Sequence, residues 1–254
     1  EYDVIVYFSL CDFVDHTVME NLNNYQSTFS KKGGHFDIVG LDMHDADSKH
    51  PFALRKIVAV PKLFGYNLTG RQESLEAISS DYELVYSAEK NKDTMFLNLF
   101  LFFKVKQINH IYNELTDKSK SFKLFDIEFS EGEFIAKEVI RTSMLHIVLN
   151  TSIPVFTLDR ESLIDKVYAL AGFSDINFEH HQDFSKRFHL VGEDKEKIKT
   201  LFNDDLIHFF ESNPYYHIES NGNNLLIFSK QRLASTKEIK ALLDFGKRLK
   251  NVIS

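Results

Sequence analysis

The chain has 254 residues, of which 43% are hydrophobic and 26% charged, and a formal net charge of -7 at pH 7. A chain of this length and composition folds into one or two domains with a sizeable core. The negative charge argues against a nucleic-acid partner, because the phosphate backbone is also negative. The single cysteine, Cys11, excludes an internal disulfide framework and any site built from several thiolates.

The sequence contains no segment with the pattern of a membrane-spanning helix. Its most apolar window, residues 95–105, has about half of the roughly 20 residues that a spanning helix needs, and it contains Asn98 and Lys104. We expect residues 96–106 to form a buried strand, although lysines beside aromatic residues leave open a contact with a membrane surface. The chain opens on a strand-like run at Glu1 with no signal peptide, so we expect it to be part of a longer protein.

The first sixty residues follow the order strand, helix, strand. Residues 2–9 are β-branched and aromatic on both alternating faces, which predicts a central strand covered on both sides. An amphipathic helix follows, capped at Asp15 or Thr17, and residues 35–41 form the second strand. This order predicts a parallel pair with a crossover helix, an α/β fragment. The predicted buried stripe of the helix is Val18, Leu22, Tyr25 and Phe29.

A polar loop rich in metal-ligating groups follows the second strand. Its candidate ligands are Asp42, His44, Asp45, Asp47 and His50. Imidazole and carboxylate groups form an acceptable set for zinc or manganese. No regular spacing places these groups on one face, so the sequence favours a solvated loop, with His44 and His50 as weak metal candidates. Pro51 predicts a new helix over residues 52–56.

The rest of the chain, after a first domain over residues 1–60, is predicted to consist of a connector and a separate second domain. The connector is residues 61–121, of which 70–80 are predicted to be helical. Residues 122–254 place strands and helices in separate blocks, which indicates an α+β domain. Strands are predicted over 122–129, 134–140, 144–149, 216–220 and 225–229, and helices over 159–171, 195–202, 204–213 and 236–252.

Several features of residues 4–56 occur together in one order. They are the apolar strand, Phe13-Val14-Asp15-His16-Thr17-Val18-Met19-Glu20 at the helix start, Gly33-Gly34-His35, Gly40-Leu41-Asp42, His50-Pro51 and Arg55-Lys56. With these features the segment resembles the carboxy-terminal half of the STAS domain found in sulfate-permease (SulP) family anion transporters. The first two strands and the first helix of that domain would precede Glu1.

The second domain carries a different set of motifs. They are Ile153-Pro154-Val155-Phe156-Thr157-Leu158, Gly172-Phe173-Ser174-Asp175-Ile176-Asn177-Phe178, Phe184-Ser185 and Leu190-Val191-Gly192-Glu193. These residues resemble an uncharacterised bacterial domain that occurs in membrane-associated proteins. That resemblance implies no activity.

Together the two resemblances imply the extended cytoplasmic tail of a secondary-active carrier of sulfate, bicarbonate or a similar inorganic anion. The substrate site of such a carrier lies in transmembrane helices, so this chain would regulate and scaffold at the cytoplasmic face of the inner membrane. Its partners would be the transmembrane domain of the same transporter or a cytosolic regulatory protein, and a homodimer stays open. No catalysis, cofactor or nucleic acid is expected. The alternative is a soluble STAS-type signalling module, similar to anti-sigma-factor antagonists and switched by phosphorylation.

The resemblance also implies a regulatory position at the start of the helix. In STAS domains this loop carries an Asp followed by hydroxyl residues that can be phosphorylated, and Asp15, His16 and Thr17 occupy the place here. A phosphate on Thr17 would lie beside the unpaired amides of the first helical turn. His16 departs from the doubled-hydroxyl pattern. The simpler interpretation is that Asp15 and Thr17 only cap the helix.

Two catalytic interpretations find no supporting motif. A thiol nucleophile at Cys11 is less expected than a small apolar side chain at a strand end. A hydrolase in the second domain would need one pocket that unites His146, Asp159, Glu161 and His189. No spacing among these residues predicts such a pocket.

Overall fold

A small parallel sheet and a large antiparallel sheet form the computed structural model of the chain, which describes residues 3–58, 68–132, 137–160 and 173–253. The strands are β1 Asp3–Tyr7, β2 Phe13–Val14, β3 His35–Val39, β4 His44–Ala46, β5 Arg55–Ile57, β6 Val85–Ser87, β7 Gln107–Thr116, β8 Phe122–Glu131, β9 Glu138–Val148, β10 Phe156–Asp159, β11 Ser174–Asp175, β12 His189–Gly192, β13 His217–Asn221 and β14 Asn224–Phe228. The α-helices are α1 His16–Lys31, α2 Gly70–Asp81, α3 Gln182–Arg187, α4 Lys195–Leu201, α5 Asp204–Glu211 and α6 Thr236–Ile253. Short 3-10 helices cover Leu41–Met43, Met95–Leu99 and Leu101–Phe103.

The first part of the structure, residues 3–58, confirms the predicted strand, helix, strand order. β1 and β3 pair in parallel, from Asp3 opposite His35 to Tyr7 opposite Val39, and α1 connects them. Within the described residues β1 pairs with β3 alone, so it is an edge strand and not the central strand that its apolar sequence predicts.

Helix α1 is present where it was predicted, but its buried stripe is rotated. Met19 and Leu22 pack into the small core of the first part, and Phe29 contacts the ring of Phe36. Val18 and Tyr25, which the spacing assigns to the buried side, are 39% and 66% exposed. The helix therefore carries large apolar side chains on its outer surface.

The predicted helix over residues 52–56 is wrong. The segment closes a turn through a hydrogen bond from the Ala53 amide to the His50 carbonyl, and strand β5 then pairs with β2 and β4. A five-residue helix has too few internal hydrogen bonds to offset the cost of its nucleation, whereas β5 finds partners on both sides.

The large sheet has nine strands in the order β11-β12-β10-β13-β14-β9-β8-β7-β6, and every neighbouring pair is antiparallel. The predicted helices at 195–202, 204–213 and 236–252 and the hairpin of 216–220 with 225–229 are confirmed. The strands predicted over 134–140 and 144–149 form one strand, β9, apart from residues 133–136, which lie outside the described residues. Of the helix predicted over 159–171, Asp159 belongs to β10, and 161–172 lie outside the described residues.

The segment assigned to a connector contributes directly to the large sheet. Residues 70–80 are helical as predicted, within α2, and β6 and β7 form one edge of the sheet. β7 pairs with β8 along most of its length. Its polar residues His110, Asn113 and Glu114 are buried, which hides the alternation that identifies a strand. The division of the chain into separate domains stays a prediction.

The aromatic run 96–106 contains two 3-10 helices instead of the predicted strand, and its buried residues are Leu97, Phe100, Phe102 and Phe103. Phe100, Phe102 and Phe103 pack on one face of the sheet, which we call the aromatic face. Met95 and Leu99 remain exposed. In the described part of the chain, no helix has the length and apolar character needed to cross a membrane.

The opposite face of the sheet, which we call the helix face, is covered by α2 and α6 and carries the largest core. In α6, Leu242, Leu243, Phe245 and Leu249 are buried, while Val252 is 43% exposed. The first part reaches the same face through a small cluster of Val39 and Met43 with Tyr112 and Leu233.

Replacing Leu243 tests this packing. Leu243→Ala is expected to lower the free energy of unfolding by roughly 2 to 5 kcal/mol, because it removes buried methyl groups and leaves a cavity. Val252→Ala, on the exposed side of the same helix, should change it by less than about 0.5 kcal/mol. Urea unfolding of both variants checks this, and equal effects would contradict the packing of α6.

Candidate functional site

The predicted regulatory residues lie at the start of α1. Asp15 is the cap, and its side chain accepts a hydrogen bond of 2.7 Å from the Val18 amide. This decides between the two predicted caps in favour of Asp15. Thr17 lies exposed in the first turn, where the leading amides of a helix have no partner within it. Its hydroxyl is thus accessible and is not the group that caps the helix.

His16 belongs to a group of rings beside this helix start. Its imidazole stacks on that of His50 with ring centroids 5.3 Å apart, and Phe52 meets both rings edge-on. The His50 ring also accepts a hydrogen bond of 3.1 Å from the Phe52 amide. The loop 48–52 is therefore packed against the entrance of α1.

The weak metal candidates His44 and His50 are not brought together into a ligand set. His44 contacts the carbonyl oxygens of Gly40 and Cys11 through its two ring nitrogens, at 3.1 and 2.6 Å. In the described ranges, no group of three or more His, Cys, Asp or Glu side chains has the arrangement of a metal site. His44 instead ties the β1–α1 loop, where Cys11 lies partly buried, to the turn after β3.

Apolar side chains are exposed along α1 and on the loop before it. Val18 and Tyr25 lie on one side of the helix, and Leu10 and Phe13, the latter at the start of β2, are 88% and 50% exposed. We call these four residues together with Thr17 the α1 face. Contiguous exposed apolar surface is a mark of protein contact sites.

A groove of about 460 Å³ lies on the other side of α1. It runs between the helix, the loop 46–55 and the first turn of α2, and its lining includes Asp37, Lys49, Arg55 and Glu73. Both signs of charge are present, so the groove has no simple preference for an anion or a cation.

The deepest charged group joins the first part to the large sheet, and we call it the joint: Asp42, Arg71, Asn113, Asp126 and Ser143. Arg71 donates to both carboxylate oxygens of Asp126, at 2.9 and 3.0 Å. Asp42, in the turn that follows β3, lies 3.9 Å from the Nε atom of Arg71. The side chains of Asp42 and Arg71 are completely buried.

Asn113 links the two carboxylates of the joint. Its amide nitrogen donates to Asp42 and, at 2.9 Å, to Asp126, and its oxygen accepts from the Tyr86 hydroxyl at 3.0 Å. Asn113 has a φ of 51° and lies at an irregularity in the pairing of β7. Asparagine tolerates this left-handed conformation better than most residues. Ser143 also donates to Asp126.

Gly40 aims the turn that carries Asp42. Its φ is 95°, and a Cβ atom at this position would lie 2.6 Å from the backbone nitrogen of Ser9. Only glycine accepts both the conformation and the close approach. The Gly40-Leu41-Asp42 motif therefore places the Asp42 carboxylate beside Arg71.

The charges of the joint do not balance by simple pairing. Two carboxylates face one guanidinium, and the Oδ1 atom of Asp42, the Nε atom of Arg71 and the hydroxyl of Tyr112 have no hydrogen-bond partner among the described residues. Burial raises the pKa of Asp42 and Asp126 raises it further, while Arg71 opposes both. The two carboxylates hold the pKa of Arg71 above its ordinary value against the effect of burial.

A second polar cluster lies on the aromatic face, on β10 and β13. His217 contacts Asp159 at 2.9 Å through Nδ1, and the Tyr215 hydroxyl donates to the same carboxylate. Glu219, two residues after His217 on β13, accepts hydrogen bonds from the backbone amides of Leu101 and Phe102. The cluster anchors the aromatic segment on the sheet.

Of the four residues that a hydrolase pocket would unite, the structure describes His146, Asp159 and His189. Asp159 lies opposite His189 on β12, but His146 contacts Asn224 on a different pair of strands, and Glu161 lies outside the described residues. The partner of Asp159 is His217, which the sequence did not single out. Alternation on β10 and β13 could have suggested it, once their pairing was known.

Comparisons with known proteins identify no family. No family model matches the chain, and no curated protein matches it. Among solved structures, the crystal structure of the mycobacterial trehalose monomycolate transport factor A, TtfA, is similar with a TM-score of 0.46 and 7% sequence identity. The match covers 73% of this chain and 95% of that chain. A likeness at this level carries no argument about function.

Two alanine variants separate the cap from the exposed hydroxyl. Asp15→Ala is expected to destabilise α1 by about 1 kcal/mol, because the Val18 amide loses its acceptor. Thr17→Ala should change stability by less than about 0.5 kcal/mol. Amide-exchange protection along residues 16–31 measures both effects. An equal loss in the two variants would contradict the assignment of Asp15 as the cap.

Proposed function

We propose that the chain is a regulatory and scaffolding region of a secondary-active inorganic anion transporter of the sulfate-permease type. Its first part would be the carboxy-terminal half of a STAS domain, and residues 122–254 would belong to the uncharacterised bacterial domain. The proposal is supported by the ordered motifs of residues 4–56 and by the parallel pair of β1 and β3 with α1 as their connection.

The observation that carries the proposal is the α1 face. Its apolar residues would bury their exposed surface against a partner, at roughly 25 cal/mol for each Å² removed from water. The partner would be the transmembrane domain of the same transporter or a cytosolic regulatory protein, at the cytoplasmic face of the inner membrane. A second copy of the chain is the remaining partner. The role needs no cofactor and no catalytic group.

Phosphorylation of Thr17 would regulate docking at the α1 face. A phosphate on this exposed hydroxyl would lie beside the unpaired amides of the first turn, where a negative charge is favourable. It would also add about two negative charges beside the exposed apolar side chains of the α1 face. Phosphorylation would therefore favour the helix itself while opposing apolar docking.

The same position supports the alternative function. A signalling module similar to anti-sigma-factor antagonists would use the α1 face to bind a soluble partner and would release that partner when Thr17 is phosphorylated. The two functions differ in what the reading frame encodes before Glu1. A transporter requires a series of membrane-spanning helices there, whereas a signalling module requires only the remaining strands and helix of the STAS domain.

Anion uptake into vesicles tests the transporter proposal. Removing residues 1–254 from the complete protein is expected to change the uptake rate or the assembly of the transporter. Tyr25→Asp should reproduce part of that change, because it places a charge in the docking surface. Ser27→Asp adds the same charge at an exposed position two residues away and should behave as the unmodified protein.

Two results would contradict the proposal. If the reading frame encodes no membrane-spanning helices, the chain is not part of a transporter. Partner binding by a signalling module would then be the function to test. Equal effects of Tyr25→Asp and Ser27→Asp in a confirmed transporter would show that the α1 face has no special part in docking.

A further inference from the structure

We propose that Asp42 holds a proton in the joint, and that this proton fastens the first part of the structure to the large sheet, so that raising the pH loosens the contact. The proposal concerns a site separate from the α1 face. It holds whether the chain belongs to a transporter or to a signalling module.

The joint holds two carboxyl groups and one guanidinium. Arg71 forms its two short contacts with Asp126, while no hydrogen bond joins Arg71 to Asp42 among the described residues. Ser143 and Asn113 complete the partners of Asp126. The guanidinium is therefore matched by Asp126, and an ionised Asp42 would be a surplus negative charge with no exposure to solvent.

That surplus charge would have a high free-energy cost. An ionised carboxylate in a buried place without a counterion is strongly unfavourable, and a carboxyl group in this position takes up a proton instead. The Oδ1 atom of Asp42 has no hydrogen-bond donor among the described residues. It is the oxygen on which a proton interrupts no existing contact.

Several charged and titratable groups face Asp42. Arg71 on α2 and Asp126 on β8 are the charged groups nearest to it, and burial outweighs the attraction of Arg71. Tyr112 on β7 and Tyr86 on β6 are neutral phenols, since burial raises the pKa of both. Arg55 and Lys90 also experience the field of Asp42, and burial lowers the pKa of each. None of these groups replaces the proton.

The proton would act on the contact between the first part and the large sheet, because Asp42 lies at that contact. Asp42 belongs to the first part, and all its partners in the joint belong to the large sheet or to α2. The contact between the two parts also includes the small apolar cluster, a hydrogen bond of 2.8 Å from the Thr236 amide to Asp37, and a hydrogen bond from Arg141 to the Ser9 carbonyl. Moving the first part away would return Asp42 to water.

The direction of the pH effect follows from the raised pKa of Asp42. The contact is strongest below the ordinary Asp pKa of about 3.9 and weakens as the pH rises to the pKa of the docked state. Over that interval one proton is released on separation, so the equilibrium constant for separation rises about tenfold per pH unit. Above the docked-state pKa the dependence levels off.

Carbon-13 NMR of the carboxyl groups measures the proton directly. The side-chain carboxyl of Asp42 in the full chain is expected to show the shift of a protonated acid at a pH where exposed aspartates are ionised. Contacts between the methyl groups of Val39 and Leu233, read from nuclear Overhauser effects, report docking in the same sample and should weaken as the pH rises.

Two substitutions complete the test. Asp42→Asn keeps the shape and removes the titration, so the methyl contacts and the urea-unfolding midpoint should lose the pH dependence that the unmodified chain shows. Asp37→Asn changes another buried carboxylate of the same contact and should leave that dependence in place. A carboxylate shift for Asp42 throughout the titration would overturn the proposal, even if the Asp42→Asn variant failed to fold. The same slope in Asp42→Asn and the unmodified chain would also overturn it.

Discussion

The buried ion pair between Arg71 and Asp126 is the interaction on which the arrangement of the chain depends. It joins the first turn of α2 to β8, the third strand from one edge of the large sheet, and Arg71 also reaches the carbonyl of Ala234 before α6. An ion pair without solvent contact adds little net stability over apolar side chains of the same size, but removing one member leaves a buried charge. We infer that it contributes specificity, because it ties α2 to the sheet and to the residue before α6 at the same time.

The first part of the structure attaches at this same place, and that makes the joint the meeting point of two kinds of packing. A parallel pair with a crossover helix lies on one side, and an antiparallel sheet covered by helices lies on the other. The apolar cluster between them is small, so polar groups decide how the two fit. The outer surface of the first part, including the α1 face, stays exposed.

The sequence predicted elements whose signals are local. The cap at Asp15, the hairpin that turns at Gly222 and the amphipathic α6 each depend on residues within one or two turns of each other. The stripe on α1 was wrong by a small rotation, because Val18 and Met19 are both apolar and only the position of β3 decides which of them is buried. The helix predicted over residues 52–56 was wrong for a similar reason, because the pairing of β5 with β2 and β4 is not visible in the local sequence.

The joint could not be predicted, because its members are separated along the chain. Asp42 was interpreted as a residue of a solvated loop and a candidate metal ligand, while Arg71 and Asp126 look like ordinary surface residues in their local sequence. β7 looks irregular because its buried polar groups find partners on other elements. His217 escaped notice for the same reason, since Asp159 lies 58 residues before it. Polar groups that satisfy each other at long range leave no periodic pattern.

The anchoring of Leu101 and Phe102 by Glu219 has a consequence for biosynthesis. The chain leaves the ribosome from its amino end, so the phenylalanine-rich segment is made 117 residues or more before the carboxylate that holds it. Until β13 and β14 are in place, Phe102 and its neighbours have only part of the surface that will cover them. Nascent chains at this stage would expose an aromatic surface to solvent, and slow synthesis of the remaining residues would favour aggregation over folding.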